Sequence, residues 1–518
     1  MSDNALLAQL AKLVGTDNVL TGEAADLFAT DVYRKLESPV AALRPTTVDE
    51  LQELVRFCAA KSIPFTIRGG GASYTDGYVV ADSQHLLVDM GLLKQIEINH
   101  AGGFVTVEAG VTWAELAEAL DKHGLRTPFR GPFSGLRATI AGSVSQNSLS
   151  HSSGKYGVSA ESVLSLDVIL GDGSLLTTGT KIAAAAPFTR HFGPDLTGLF
   201  TGDCGAFGVK ARVTLPIIRQ RPAHRSLSVS FADFSAMHRA MQAIALERIE
   251  DTHFAIDAAL SQGQIARQDN AGGQIGLALG ILRSSPSLAV GLRQLVGALV
   301  KSRAQIAEAA YTVHYMVEGF TDAETKGKLA RIRSLASEGQ EIEATVPAVV
   351  RAMPFAPFYN TLGPKGERWV PVHGILPHEK IPDFHRAFEQ FRAENAAKFE
   401  ELGIWLGTMF LAIGSSGFLY EIAIYWPDEQ TSYHREVIPQ DYLDELPKYP
   451  ANIAARAAVE QLKQDLIALY DAYDTIHFQL GRAYPYITRI DPKAGGLIKA
   501  IKGFVDPDGN IGPGVLGL

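Results

Sequence analysis

The chain has 518 residues, of which 46% are hydrophobic and 20% charged, and its net charge is −9. A chain of this length is too long for one hydrophobic core, so we expect at least two domains of a soluble protein. The negative charge argues against nucleic acid and an anionic membrane surface as partners.

Several segment types are missing from the sequence. It has no run of about 18 apolar residues and therefore no predicted membrane span. Residues 1–13 lack a signal-peptide pattern, and no CxxC zinc motif occurs, so no metal site is expected. Cys58 and Cys204 could pair by count, but the simpler interpretation is a reduced, cytoplasmic protein.

The first part of the chain, residues 1–222, alternates β-rich runs with helical segments. Thr47 and Glu50 form a predicted capping box for a helix over 45–60, and a second box spans Thr112 and Glu115. Asp172-Gly173 predicts a hairpin turn. The predicted strands are 63–68, 86–90, 104–108, 165–170 and 174–178. This alternation is typical of an α/β or α+β domain.

A second α+β domain is predicted for residues 223–477, where longer helical patterns replace the short alternation. The predicted strands are 254–257, 276–279 and a pair within 403–426, and the predicted helices are 287–310, 380–402 and 452–473. Residues 478–518 return to the first domain and contain a predicted helix over 493–504.

Four glycine-rich segments carry the chemical signal. Arg68-Gly-Gly-Gly-Ala-Ser-Tyr74 follows a strand, where three glycines let backbone amides approach an anion such as a pyrophosphate. Residues 132–147 and 152–157 are rich in small and hydroxyl side chains and are interpreted as a long functional loop. Thr201-Gly-Asp-Cys-Gly-Ala-Phe-Gly-Val209 leads into another strand, and Asp506–Gly514 is rich in turn residues.

In order and spacing, these segments resemble the FAD-binding domain of the vanillyl-alcohol oxidase / p-cresol methylhydroxylase (PCMH) family. The likeness covers about residues 40–220 and 478–518. It implies an α+β fold, with a two-subdomain PCMH-type FAD-binding domain and an α+β substrate (cap) domain built on an antiparallel sheet.

The resemblance also implies a set of cofactor contacts. Gly69, Gly70, Gly71, Ala72 and Ser73 would hold the pyrophosphate, flanked by Arg68 and Tyr74. The ribityl and phosphate portion would lie along Pro132, Thr139, Ala141, Gly142, Ser143, Gln146 and Asn147. Gly154 and Gly157 would lie near the isoalloxazine, Gly208 and Val209 near the adenine, and Asn510 at the far edge of the ring.

Two departures from the family pattern matter. Ala72 stands where some members carry a histidine bonded covalently to the flavin, and His385 is a weak candidate for the other attachment position, so we expect non-covalent FAD. Val158 and Ser159 follow Tyr156-Gly157, where phenol-oxidising members have an aspartate.

The resemblance implies catalytic candidates as well. Tyr74 would bind a substrate phenolate, and Arg482 with Tyr484 would stabilise its charge. Glu421 and Tyr425 are predicted to line the pocket from the second domain, although an aromatic face of a sheet explains them equally well.

The sequence therefore predicts an FAD-dependent oxidoreductase that oxidises a small para-substituted phenol or lignin-derived aromatic by hydride transfer to flavin N5. Oxygen or another acceptor would reoxidise the flavin, and relatives imply a homodimer. An FAD-dependent dehydrogenase of 2-hydroxy acids or sugars, and a non-redox flavin-dependent lyase, remain alternatives.

Overall fold

The computed structural model describes residues 3–268 and 309–518. The chain divides into two units. The first comprises Met1–Leu149, Val158–Arg219 and Phe478–Leu518, and the second comprises Ser150–Gly157 and Gln220–His477. The predicted strand at 276–279 and nearly all of the predicted helix at 287–310 lie outside the described residues.

The strands of the described residues are, in chain order, β1 (Val19–Leu20), β2 (Ala42–Leu43), β3 (Phe65–Arg68), β4 (Leu86–Asp89), β5 (Ile96–Asn99), β6 (Phe104–Glu108), β7 (Leu125–Arg126), β8 (Ser165–Ile169), β9 (Leu175–Thr177), β10 (Val209–Pro216), β11 (Ile218–Arg219), β12 (Ala223–Phe231), β13 (Thr252–Asp257), β14 (Tyr311–Gly319), β15 (Gln340–Ile342), β16 (Arg368–Pro377), β17 (Trp405–Ile413) and β18 (Gly417–Trp426).

The α-helices of the same residues are α1 (Asp3–Val14), α2 (Glu23–Phe28), α3 (Val48–Lys61), α4 (Trp113–Asp121), α5 (Ile140–Gln146), α6 (Ser153–Tyr156), α7 (Leu196–Leu199), α8 (Phe234–Glu247), α9 (Ala258–Gln268), α10 (Asp322–Leu335), α11 (Thr345–Ala352), α12 (Ile381–Glu394), α13 (Ala396–Leu402), α14 (Ser432–Val437), α15 (Gln440–Glu445), α16 (Ile453–Asp471) and α17 (Pro492–Val505).

The first unit is built on two main sheets. One has the order β1-β2-β4-β3, in which β4 runs parallel to both of its neighbours. Every residue of β4 is buried, as expected for a strand covered on both faces. The other sheet is antiparallel, in the order β5-β6-β10-β8-β9. Its β8–β9 pair forms the hairpin predicted from Asp172-Gly173.

Helix starts in the first unit follow the predicted capping signals, with one difference. Thr112 and Glu115 form the complete capping box at α4. At α3, Thr47 Oγ1 accepts the Glu50 N–H at 3.1 Å, but the Glu50 carboxylate accepts from Thr46 N instead of Thr47 N. The box predicted at Thr47 and Glu50 is therefore only half formed, because Thr46 donates from both its amide and its hydroxyl to the same Glu50 oxygen.

The second unit is built on one antiparallel sheet of the order β15-β12-β14-β13-β17-β18-β16. The predicted strand pair is the β17–β18 hairpin. The predicted helix over 380–402 is instead two helices, α12 and α13, which meet at Asn395. The Asn395 side chain there donates to the carbonyl oxygen of Phe391 at 2.9 Å.

The two faces of this sheet differ in their cover. On one face, Phe410 and Tyr420 contact Phe234 of α8, with ring centroids 5.3 and 5.9 Å apart. Side chains alternate between the two faces along a strand, and directly opposed residues on neighbouring strands point to the same face. The strand register therefore assigns the residues that alternate with Phe410 and Tyr420 to the opposite face. We call it the Glu421 face; its residues are His224, Ser226, Ser228, Ser230, Thr252, Phe254, Ile256, Thr312, His314, Met316, Glu318, Gln340, Ile342, Trp369, Pro371, His373, Ile375, Pro377, Trp405, Gly407, Met409, Leu411, Ile413, Gly417, Leu419, Glu421, Ala423 and Tyr425.

Candidate active site

The loop after β3 packs tightly on the segment before α5. A Cβ at Gly69 would lie 2.6 Å from Thr139 Oγ1, and one at Gly70 would overlap the carbonyl oxygen of Arg137. Gly71 has φ +67°, a conformation that favours glycine. All three glycines are therefore required by the geometry of this loop.

The amides of this loop remain available to a ligand. Within residues 3–268 and 309–518, the N–H groups of Gly70, Ala72 and Ser73 donate no hydrogen bond to a backbone carbonyl. Successive amides of this kind form a nest that suits phosphate oxygens.

Arg68, the residue before the three glycines, is buried. Its guanidinium donates to Asp89 at 2.5 Å and lies 4.8 Å from the ring centroid of Phe28. Tyr74, at the other end of the loop, is partly buried. The position of Arg68 indicates that it shapes the loop.

The second segment departs from the predicted long loop, because it contains α5. Thr139 caps this helix by accepting the Gly142 N–H at 3.2 Å, and Asn147 ends it with φ 52°. Ala141 is buried in the helix, and Ser143 Oγ accepts from Trp113 Nε1 at 2.8 Å. The cap and these packing contacts stabilise a helix that the glycine- and serine-rich sequence does not predict. Pro132 lies before it, in a turn where its carbonyl accepts from Gly135 N.

Cys204 links two of the glycine-rich segments with the chain at Gly481. Its Sγ lies 3.4 Å from Gln146 Oε1 and accepts the Gly481 N–H at 3.2 Å. Gly208 follows Cys204 in the same segment. A Cβ at Gly208 would lie 2.5 Å from Val168 Cγ1, so a larger residue does not fit there. Val209 begins β10. The C-terminal segment joins the same region, since Asn510 O accepts from Phe65 N at 2.8 Å.

Two amide side chains of the first unit support the fit to a polar ligand. Asn147 Oδ1 and Asn510 Nδ2 are buried and have no hydrogen-bond partner among the described residues. A buried polar atom without a partner is unfavourable unless a ligand or water completes it. Together with the unengaged loop amides, they fit a phosphate-containing cofactor such as FAD.

Gly154 and Gly157, predicted beside the isoalloxazine, belong to the second unit. A Cβ at Gly154 would lie 2.7 Å from Glu250 Oε1 and 2.6 Å from the His253 ring. Glu250 and His253 form a buried pair that sequence reasoning missed, with 3.6 Å between Oε1 and Nδ1. The spacing of the two residues on one short segment was the only signal.

Arg482 is held by backbone carbonyls of the first unit. Its guanidinium donates to the oxygens of Asp76 at 2.8 Å, Val79 at 3.0 Å and Pro513 at 2.7 Å. These contacts indicate a structural role, whereas the sequence predicted charge stabilisation at a substrate. Tyr484 is buried nearby, and its N–H donates to Leu480 O.

On the second unit, Glu421 and Tyr425 lie on β18. Glu421 is partly buried, and desolvation raises the pKa of its carboxyl to about 7. Its cross-strand neighbours are His373 and Met409. The strand register makes His373 a neighbour of Glu421, and desolvation lowers the pKa of His373 to about 3.

Three of the four large aromatic side chains of the Glu421 face lie side by side at one end of β16, β17 and β18. Tyr425 stacks on Trp405, with ring centroids 3.8 Å apart, and Trp369 is its register partner on β16. His385, the candidate covalent site, lies on the other face, stacked on Phe234 and bonded to the Tyr420 hydroxyl.

No grouping of three or more histidine, cysteine, aspartate or glutamate side chains suited to a metal ion occurs in the described parts of the chain. Both cysteines are free and buried. None of the described helices is long and apolar enough to cross a membrane.

Comparison with known proteins identifies the first unit. Residues 39–179 match the family described as FAD binding domain. Glycolate oxidase subunit GlcD of Bacillus subtilis is 26% identical over 245 residues, which cover 46% of this chain and 50% of the relative. The chain thus spans about half the length of the curated relatives that it matches.

Solved structures match along nearly the whole chain. p-Cresol methylhydroxylase with bound substrate superposes with a TM-score of 0.73 at 15% identity, covering 99% of this chain and 96% of that one. Alkyldihydroxyacetonephosphate synthase gives 0.68 at 13% identity, covering 99% and 85%. At these identities the likeness concerns the fold.

The domain match and the loop geometry define a flavoprotein that binds FAD. Residues 39–179 carry the FAD binding domain, the chain is similar over part of its length to FAD-linked oxidoreductases, and it shares the fold of p-cresol methylhydroxylase.

Proposed function

We propose that the protein is an FAD-dependent oxidoreductase whose substrate is a small para-substituted phenol or a related lignin-derived aromatic. The observation that carries this proposal is the composition of the Glu421 face. It holds four large aromatic side chains, those of Phe254, Trp369, Trp405 and Tyr425, and the Glu421 carboxyl with a pKa of about 7, and none of its residues is lysine or arginine.

This composition favours an uncharged aromatic substrate. Aromatic side chains provide flat apolar contacts for a ring. A substrate carboxylate, in contrast, would lose its hydration on this face without gaining a cationic partner, which is unfavourable.

Glu421 is proposed to take up the proton that the substrate hydroxyl releases. A general base works best when its pKa lies near the working pH. FAD, when bound, supplies the acceptor for the two electrons that the substrate loses. Tyr74 is proposed to hydrogen-bond the phenolic oxygen, and Tyr425 to contact the ring.

The alternative of a 2-hydroxy-acid dehydrogenase is favoured by one observation, the relative named glycolate oxidase subunit. That similarity covers only about half of each chain. The residues of the Glu421 face argue for the phenolic substrate because they offer no cation for a carboxylate.

The test is anaerobic reduction of the FAD-loaded protein, followed by flavin absorbance. Vanillyl alcohol is expected to bleach the flavin, and D-lactate and glycolate are expected to leave it oxidised. Reduction by a hydroxy acid alone would replace the proposal by the alternative. Turnover of a substrate with no acceptor consumed would indicate the non-redox lyase chemistry.

The role of Glu421 is tested by its pH dependence. If Glu421 is the base, kcat/KM rises with pH through about 7, where the carboxyl ionises. The Glu421→Gln variant should lose this inflection and fall by about 10² or more in rate. Glu401→Gln, an exposed change on the same unit, is the control and should match the unmodified enzyme.

A further inference from the structure

Asp76, two residues beyond the loop Arg68–Tyr74, has an unusual backbone conformation. Its φ is +55°, in the left-handed region, which costs energy for residues other than glycine. A conformation of this kind persists only where the surrounding structure holds it. Asp76 is also buried. The contacts that hold Asp76 therefore determine where the chain leaves the loop.

Every polar group of Asp76 has a partner from a distant part of the chain. Its N–H donates to Asp31 Oδ2 at 3.1 Å. Its carboxylate accepts from Arg34 at two points, from Nε at 3.0 Å and from Nη2 at 2.6 Å. Its carbonyl oxygen accepts from Arg482 Nη1 at 2.8 Å. These bonds fix the backbone and the side chain of Asp76 together.

Asp31 can hold Asp76 because a local turn fixes the Asp31 carboxyl group. Asp31 Oδ1 accepts the N–H groups of Tyr33 at 2.8 Å and Arg34 at 2.7 Å, a turn that aspartate forms with the backbone that follows it. The other oxygen accepts from Asp76. The turn at residues 31–34 therefore presents both a carboxyl oxygen and a guanidinium to the same residue.

The segment 31–34 also contacts the glycine-rich loop directly. Val32 N–H donates to the carbonyl oxygen of Ser73 at 3.1 Å. Because a peptide unit is planar, this bond fixes the plane of the peptide that joins Ser73 to Tyr74. On the other side of Asp76, a Cβ at Gly77 would lie 2.5 Å from Gln146 Nε2, so the chain there packs on the end of α5. Asp76 thus lies between two segments that carry groups fitting the cofactor.

We propose that Asp31 and Arg34 are positioning residues for FAD, which hold the pyrophosphate loop through Asp76. Both precede residues 39–179, which match the FAD binding domain, so the determinants of cofactor affinity extend beyond that match. An amide nest binds phosphate only when its N–H groups converge. If the loop is correctly formed in only a fraction of the molecules, the apparent affinity falls by that fraction. The proposal concerns the cofactor and does not depend on the identity of the substrate.

The test is the dissociation of FAD from the holoprotein, measured by the fluorescence of released flavin in a dilution series. Arg34→Met removes the contacts to the Asp76 carboxylate. Asp31→Asn retains the oxygen that accepts from Tyr33 and Arg34 but replaces the acceptor for the Asp76 N–H by an amide nitrogen. Each variant is expected to raise the Kd about tenfold. The two substitutions change charge in opposite directions, so a loss common to both cannot come from attraction to the anionic pyrophosphate.

The matched control is Lys181→Met in the same unit. Lys181 and Asp167 form an ion pair at 2.8 Å whose side chains are 34% and 3% exposed, against 33% and 3% for Arg34 and Asp76. The thermal midpoint in saturating FAD should fall in the control as well, but its Kd for FAD should stay unchanged. A control that loses as much affinity as Arg34→Met would overturn the proposal, because any lost ion pair in the unit would then have this effect.

A double-mutant cycle identifies the route of the effect. Adding Arg34→Met to Asp76→Ala should raise the Kd by no more than about twofold, because both substitutions remove the same contact. Fully additive losses would mean that Arg34 does not act through Asp76.

The assignment of the loop itself is checked separately by Gly70→Ala. If that variant keeps its flavin, the loop does not hold the pyrophosphate and the proposal fails with it. If Gly70→Ala is flavin-poor while Asp31→Asn and Arg34→Met bind FAD normally, the loop assignment stands and the role of Asp31 and Arg34 is refuted.

Discussion

The Cα of Gly70 lies against the carbonyl group of Arg137, so closely that a Cβ on Gly70 would overlap the Arg137 oxygen. This contact fixes the distance between the glycine loop after β3 and the segment that begins α5. Both segments carry groups that fit the cofactor, so the contact sets the geometry of the cofactor site.

The Gly70→Ala substitution should therefore give a flavin-poor protein. The added methyl group must displace either the loop or the Arg137 carbonyl, and backbone cannot move without disturbing the amide nest. The ratio of flavin to protein absorbance measures the effect. Gly327→Ala on α10, where nothing lies within 4 Å of the added Cβ, is the control and should retain full flavin.

Replacing Arg482 by methionine should lower stability more than it alters catalysis. The substitution removes the donors for the carbonyls of Asp76, Val79 and Pro513, and leaving buried acceptors unsatisfied costs about 1–3 kcal/mol. Urea unfolding of the holoprotein measures this loss. Arg489→Met, an exposed change on the same segment, is the control. A variant of unchanged stability with strongly reduced kcat would restore the catalytic role expected from the sequence.

The Glu250 carboxyl should make the protein less stable as pH rises. Burial raises its pKa from 4.5 to about 7, so the folded state holds the proton more tightly than the unfolded state. Stability contributed by this group is complete below about pH 4.5 and is lost as pH rises through about 7, a change on the order of 3 kcal/mol.

The Glu250→Gln variant tests this linkage. It should be more stable than the unmodified protein at pH 8 and should flatten the profile of unfolding free energy between pH 4.5 and 7. Glu97→Gln, an exposed change on β5, should leave the profile as it was. If Glu250→Gln and the unmodified protein show parallel profiles, the ionisation of Glu250 does not govern this range.

Neither cysteine should react with a thiol reagent in the folded protein. Burial raises the pKa of both Cys58 and Cys204 to about 12, which leaves a thiolate fraction of about 10⁻⁴ at pH 8. Labelling with an aromatic disulfide should detect no thiol in native buffer and two in guanidinium chloride. Rapid native labelling of either cysteine would show that its surroundings open readily.

Local signals in the sequence predicted those elements that local contacts stabilise. The capping box at Thr112 and the turn at Asp172-Gly173 depend on residues within a few positions, and both form as predicted. Helix α5 was missed because its one glycine and two serines have low helix propensity. Its helix is stabilised by contacts with the distant residues Gly69 and Trp113, which no local pattern contains.

In the candidate site, too, features that depend on local sequence could be predicted and features that depend on distant residues could not. FAD and its glycine loops could be predicted, since close backbone approach requires glycine wherever it occurs. The partners of Arg482 could not, because Asp76 and Pro513 come from opposite ends of the chain. The neighbours of Glu421 depend on strand register, which sequence spacing does not reveal. The catalytic roles of Tyr74, Tyr484, Tyr425 and Glu421 remain predictions.

The distribution of the two units along the chain has a consequence for synthesis. Phe65 on β3 forms a parallel bridge with Ile511, and its carbonyl oxygen accepts the Gly512 N–H. The sheet that contains β3 is therefore complete only after residues near 511 have been synthesised. The second unit needs only Ser150–Gly157 and Gln220–His477. On a ribosome, the unit that starts later is therefore the first to have all its parts. We expect its chain to fold while the amino-terminal unit is still held open, a period in which chaperones would have most access to the empty cofactor loops.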